Sequence, residues 1–228
     1  KRKEWAAALP KSTERFVFVD LTEQQRLVYT SILEETTELI EQAAQKDPKL
    51  RAMMDSEDES MEDALEAKLR PYLARLERFL SNPEIDPLSE KLLTDPIDKV
   101  SPKALKVYDI IRDHEQGVLG KDSKGDKVFT EDGGPVPGKI LIFTQYTASA
   151  EHVFENAPPD IRSRMIHYTA DQKEECRVAF ETDPTKTVMI GVSSSMDTGL
   201  NFQHVSRLIR LETVWTPGVL EQGNSQIG

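Results

Sequence analysis

The sequence holds a single cysteine, Cys176. One thiol can neither close an internal disulfide nor fill a zinc cluster, so neither staples this fold. A reducing intracellular compartment, cytoplasm or nucleus, is the default. No run of eighteen apolar residues exists and no charged-then-apolar leader opens the chain, so no membrane helix or signal peptide is expected. Aromatic residues are scarce at 7%, and the apolar fraction is 38%. That supports a lean core, and 30% charged residues leave a wet surface. A basic surplus is missing too. The formal net charge is -11, which argues against binding nucleic acid by bulk charge. The chain opens on Lys1 rather than Met, which points to a piece of a longer or processed protein. Its 228 residues suffice for one large domain, or a domain with a small companion.

The charge is uneven. Residues 1–31 carry six Lys/Arg and four Asp/Glu, and residues 139–228 carry eight and eleven. The stretch between them carries fifteen and twenty-five, so the acidity belongs mainly to the middle of the chain.

Phe16–Asp20 runs Phe-Val-Phe-Val-Asp and reads as a short strand. Thr22 and Gln25 form a capping box for a helix whose apolar positions include Val28, Ile32, Leu39, Ile40 and Ala43. That helix is expected to end before Asp47-Pro48. Asp55–Asp63 holds six acidic residues and no basic one, the composition of a solvated loop tip. A second helical stripe runs from Leu65 to Leu80, and Pro71 within it predicts a kink or a late start. Together these make a helical hairpin with an acidic tip. Residues 82–100 hold three prolines and read as a connection.

Ser101-Pro102 is a helix start, with Ala104, Leu105, Val107, Tyr108, Ile110 and Ile111 on the buried face. Residues 117–138 are rich in Gly, Asp and Lys and read as a surface loop or small hairpin. The texture then changes. Lys139–Thr144, Arg164–Tyr168, Thr187–Val192 and Arg207–Leu211 are strand-length runs. Helices are expected between them over residues 147–156 and, behind a capping box of Asp171 and Glu174, through Phe180. The alternation implies an α/β fold: a parallel sheet with helices on both faces.

In such a sheet, ligands bind beyond the carboxyl ends of the strands. Four tips qualify: Thr144-Gln145-Tyr146, His167-Tyr168-Thr169, Ser193 to Gly199, and Glu212 to Trp215. Hydroxyls and backbone N–H groups there suit a phosphate, although the same residues also serve as ordinary turn and cap chemistry. His167 at a strand end suits a structural histidine as well as a ligand contact.

These residues resemble a family. Lys139–Tyr146, His167-Tyr168-Thr169 with Arg177 and Phe180, and Val192–Asn201 follow one another in an ordered series of motifs. Trp215-Thr216-Pro217, Gln222 and Gln226-Ile227-Gly228 continue it. The series resembles the C-terminal RecA-like lobe of Swi/Snf-type superfamily 2 helicases. Leu9-Pro10-Lys11, Phe16–Asp20, Leu21–Gln25 and Tyr29 resemble the family's lead-in to that lobe. Met196-Asp197 and Thr169 depart from the family pattern, which prefers small residues there. The resemblance divides the chain into residues 1–100, a lead-in strand and helical hairpin with acidic tip, and residues 101–228, the lobe up to the arginines of the family's last motif.

What the resemblance implies follows. The fold is a RecA-like parallel sheet with an N-terminal helical hairpin insertion. The chain is the second motor lobe of an ATP-dependent DNA translocase. Its partners are the N-terminal RecA-like lobe of the same protein and nucleic acid, most of all duplex DNA. Thr144, Gln145, His167, Ser193 and Ser194 would contact the nucleic-acid backbone. Asp197, Gly199, Gln222 and Gln226 would lie on the nucleotide side. ATP and Mg2+ would be held by the full-length protein, with none held by this piece alone. The phosphate loop Gly-x-x-x-x-Gly-Lys-Ser/Thr is absent from the sequence, and neither a catalytic residue nor a metal ligand is assigned. The piece alone is therefore expected to be inactive. The alternative is an inactive helicase-like module that binds a protein partner through the acidic hairpin.

Overall fold

The computed structural model describes residues 14–56, 61–84, 99–122, 124–196 and 204–212. They fall into two units, Leu21–Leu105 and the described parts of Lys1–Asp20 with Lys106–Gly228.

In the first unit, α1 spans Glu23–Lys46. Its start is the expected capping box: Thr22 Oγ1 accepts from the Gln25 amide at 3.3 Å, and the Thr22 amide donates back to Gln25 Oε1 at 3.2 Å. Asp47 ends α1 and starts α2 (Pro48–Met54), its carboxylate accepting from the Lys49 and Leu50 amides. α3 spans Glu62–Ser81. Ile32, Leu76 and Phe79 form the seam, flanked by Val28, Tyr29 and Leu73. Rising numbers on α1 meet falling numbers on α3, from Ile32 against Leu76 to Asp47, whose carboxylate pairs with Lys68. The hairpin is therefore antiparallel. Burying each large apolar side chain contributes about 1.5–3 kcal/mol.

Pro71 neither delays α3 nor ends it. Its ring lies on an exposed position, so the missing N–H costs one helical hydrogen bond while Leu73, Leu76 and Phe79 beyond it hold the helix in the seam. Arg75, only 6% exposed, is buried in the seam and donates to Glu35 Oε2 at 2.6 Å and Thr36 Oγ1 at 3.3 Å. Residues 57–60 of the acidic run and 85–98 of the connection lie outside the described residues.

The second unit is built on a four-stranded parallel sheet. Its strands are β3 (Lys139–Thr144), β4 (Met165–Tyr168), β5 (Val188–Val192) and β6 (Val205–Arg210). Their order is β4-β5-β3-β6. Ile140 faces Val188 on one side and Arg207 on the other, and the register holds to Thr144 against β5 and to Phe143 against β6. Before the sheet come α4 (Pro102–Glu115), most of which belongs to this unit, and a small antiparallel hairpin, β1 (Val118–Lys121) and β2 (Lys127–Phe129). The hairpin fills the glycine-rich stretch expected to be a loop or hairpin. Gly138 turns the chain into β3 at φ 94°, where an added Cβ would stand 2.7 Å from Ser206. Only glycine suits that corner.

Between strands run α5 (Thr147–Glu155), the single turn α6 (Pro159–Arg162), α7 (Lys173–Thr182) and the single turn α8 (Ser193–Met196). Alternate strand residues face opposite layers. Leu141, Phe143, Ile166, Tyr168 and Met189 pack against Cys176 and Phe180 of α7 and Met196 of α8. On the other face, His167 of β4 stacks on Phe154 of α5, and Arg207 of β6 donates to the Ile110 carbonyl of α4. Helices thus cover both faces, as the sequence predicts. Lys139 Nζ binds the carbonyls of Phe180 and Asp183 at the end of α7, where a cation meets the negative pole of the helix.

Two local expectations are corrected. Phe16–Asp20 is not a strand, since residues 14–22 carry no regular element and Phe18 is 93% exposed. A strand exists only by pairing, and no described strand pairs with it. Asp171 and Glu174 do not form a capping box either. A 3-10 turn at Ala170–Gln172 moves the helix start to Lys173, and Glu174 pairs with Arg177 instead.

Candidate functional site

The carboxyl ends of β3, β5 and β6 lie side by side, because the three strands are adjacent and parallel. β3 is central, so its tip is flanked on both sides. Thr144 is its last residue and is 1% exposed. Thr144 Oγ1 donates to Glu212 Oε1 at 3.0 Å and accepts from the Tyr146 amide at 3.2 Å. The next amide, that of Gln145, donates to Glu212 Oε2 at 3.0 Å. On the other side, Ser193 Oγ donates to the Thr144 carbonyl at 3.3 Å.

The expected contact residues therefore divide. Gln145 is half-buried, Ser194 is exposed, and Ser193 sits between them and Thr144 at the first position of α8. These three stand at adjacent strand ends. Thr144 is turned inward, with its hydroxyl engaged by Glu212 and Tyr146. His167 stands apart on the edge strand β4. Its ring stacks on Phe154 at 5.4 Å between centroids, and Arg162 lies 5.0 Å over the same Phe154 ring. Burial lowers the His167 pKa, against the opposing pull of Glu151 and Glu155. Asp197, Gly199, Gln222 and Gln226 lie outside the described residues.

Sequence reasoning counted Glu212 among the tip residues but assigned it no role. The available signal was its position: an acidic residue directly after a parallel strand must find donors or reach water. It is 6% exposed and finds them on β3. Arg177, which belongs to the motif resemblance, lies on the outer surface of α7 between Glu174 and Glu181. Its pKa is raised by hydrogen bonds and charge from both carboxylates. Among the described residues no group of three His, Cys, Asp or Glu could hold a metal ion.

The arrangement offers neutral, short donors at the ends of adjacent strands. Such donors suit phosphate oxygens and carry no sequence information. No described helix is long and apolar enough to cross a membrane.

Comparison with known families matches residues 134–226 to the helicase conserved C-terminal domain. No curated protein matches the chain. Among solved structures, the Sulfolobus solfataricus SWI2/SNF2 ATPase C-terminal domain is similar at a TM-score of 0.56 and 14% identity, over 88% of this chain and 72% of that one. The Sulfolobus solfataricus SWI2/SNF2 ATPase core in complex with dsDNA gives a TM-score of 0.57 at 14% identity. That match covers 92% of this chain and 36% of the core. The C-terminal part of the Fun30 ATPase domain gives 0.54 at 12% identity, over 92% of this chain and 78% of that one.

Proposed function

Starting from a chain that carries a helicase conserved C-terminal domain on the fold of SWI2/SNF2 ATPase C-terminal lobes, we propose that it is the second motor lobe of an ATP-dependent DNA translocase. In this reading it grips the phosphate backbone of duplex DNA at its strand tips and completes an ATP site with a first RecA-like lobe. The supporting observation is the row of neutral donors at Gln145, Ser193 and Ser194 on adjacent parallel strands of that fold. The solved SWI2/SNF2 core with dsDNA supports the choice of track.

Within this reading, Gln145 and Ser194 donate to phosphate oxygens, and Ser193 joins them by turning its hydroxyl from the Thr144 carbonyl, which positions the track without reading bases. Thr144 orders the β3 tip from inside, and His167 borders it at β4. Asp197, Gly199, Gln222 and Gln226 serve the nucleotide side. ATP and Mg2+ belong to the assembled pair of lobes. The described residues offer Mg2+ no carboxylate cluster, so no step is assigned to it.

The test is ATP hydrolysis by a longer protein joining this chain to its first lobe, with and without duplex DNA. Hydrolysis stimulated by duplex DNA is expected, and none from the 228-residue chain alone. Turnover by the chain alone that survives further purification would sink the second half of that statement.

One observation favours a second reading. Glu34, Glu38 and Glu41 are exposed along α1 at spacings of four and three, an acidic face in a unit of its own. A folded longer protein without any ATP turnover would favour an inactive module that binds a basic protein partner there.

A further inference from the structure

The β3–β6 ladder ends in an unusual way. The Leu211 amide donates to the Phe143 carbonyl at 3.0 Å. In a continued parallel ladder the next bond would run from the Gln145 amide to the Leu211 carbonyl. Instead the Gln145 amide donates to the Glu212 carboxylate at 3.0 Å. The other carboxylate oxygen takes the Thr144 hydroxyl at 3.0 Å, and that hydroxyl takes the Tyr146 amide at 3.2 Å. A buried side chain thus extends the ladder beyond the strand and fixes three consecutive residues of the β3 tip. Amide-to-carboxylate bonds are charge-assisted and stronger than neutral ones, and a carboxylate 6% exposed has little water to turn to.

We propose that Glu212 is a positioning residue for the nucleic-acid grip: its carboxylate sets the backbone of Gln145, and so the direction in which the Gln145 side chain meets a phosphate. It does not touch the track itself. The inference rests on the reading of Gln145 as a contact residue.

The chemistry makes a specific demand on substitutions. In Glu212→Gln the amide oxygen can still face the Gln145 N–H. Its NH2 group can then face Thr144 Oγ1, whose proton turns to the Tyr146 carbonyl, already 3.4 Å away. The tip stays satisfied. In Glu212→Ala the Gln145 and Thr144 donors lose their shared acceptor. Thr144→Val removes the hydroxyl relay but leaves the direct Gln145–Glu212 bond in place.

The experiment uses the folded 228-residue chain and two readouts, amide hydrogen exchange by NMR and binding of a labelled duplex DNA. In Glu212→Ala the Gln145 amide should exchange about tenfold or more faster, with β3 amides from Ile140 to Phe143 unchanged. Duplex affinity should fall about fivefold or more. Glu212→Gln should restore both, and Thr144→Val should free Tyr146 while sparing Gln145. Two outcomes overturn the proposal: Gln145 exchange in Glu212→Ala equal to that of the parent, or freed Gln145 with unchanged affinity. If Glu212→Ala unfolds the sheet, Glu212→Met, which keeps the side-chain length but offers the Gln145 and Thr144 donors no carboxylate oxygen, decides by the same two readouts. If the parent chain binds no duplex DNA, the proposed grip fails. The exchange pattern alone then decides whether Glu212 orders the tip.

Discussion

His114 and His152 are buried, 5% and 3% exposed, and burial lowers the pKa of each to about 4; at His114 the nearby Arg207 charge adds to the effect. Each ring is used in neutral form: His114 Nε2 meets Ser206 Oγ at 3.3 Å, and His152 Nδ1 meets the Asn156 amide at 3.3 Å. Unfolded, either ring takes a proton near pH 6.5. Between pH 6.5 and pH 4 the unfolded chain therefore binds more protons than the folded one, and stability falls as pH falls. The full contribution is present above pH 6.5. Each ring accounts for a loss on the order of 3 kcal/mol at the bottom of the window. Denaturant unfolding at about pH 7 and pH 4.5 should show a shallower pH dependence in His114→Gln/His152→Gln than in the parent. An unchanged slope would assign the acid sensitivity to the carboxylates alone. Glu212 was the residue least legible in the sequence, because its role depends on two donors from a strand 68 residues earlier.

At the scale of elements, Pro71 gives the sharpest prediction. It interrupts the hydrogen bonding of α3 from an exposed position, so Pro71→Ala should stabilise the hairpin by about 1–3 kcal/mol, read as a higher Tm or denaturant midpoint. A loss of stability would mean that the helix is shaped around the proline. The apolar runs at Lys139–Thr144 and Val188–Val192 were plain in the sequence, because strands covered on both faces need apolar residues throughout. The Thr22–Gln25 cap was legible because it is local, with both partners within one turn. Phe16–Asp20 misled because aromatic and β-branched residues give a strand's composition but not its partner. Asp171 and Glu174 misled because Arg177, one turn further on, competes for the same carboxylate. At the tips, hydroxyl and amide residues were visible in order. Which of them face inward was not, since Thr144 is turned by a neighbour distant in sequence.

For the whole molecule, charge sets the character of binding. The chain carries -11, and the described tip residues Thr144 to Tyr146 and Ser193 to Met196 include no Lys or Arg. Neutral donors displace few counterions. If this chain neutralises about two phosphates, its duplex affinity should fall only about tenfold between about 50 and 200 mM salt. A slope steep enough to need six or more phosphates would place the grip on basic residues elsewhere. The sheet order carries a mechanical consequence. β3 and β5 lie parallel and adjacent in register, and β3 is bonded on its other side to β6. A pull applied at the β3 tip along the strand axis loads its hydrogen bonds to β5 and β6 together, in shear. An edge pulled sideways would instead lose them one after another. A lobe that takes hold at the ends of its central strands can bear tension along its stiffest direction.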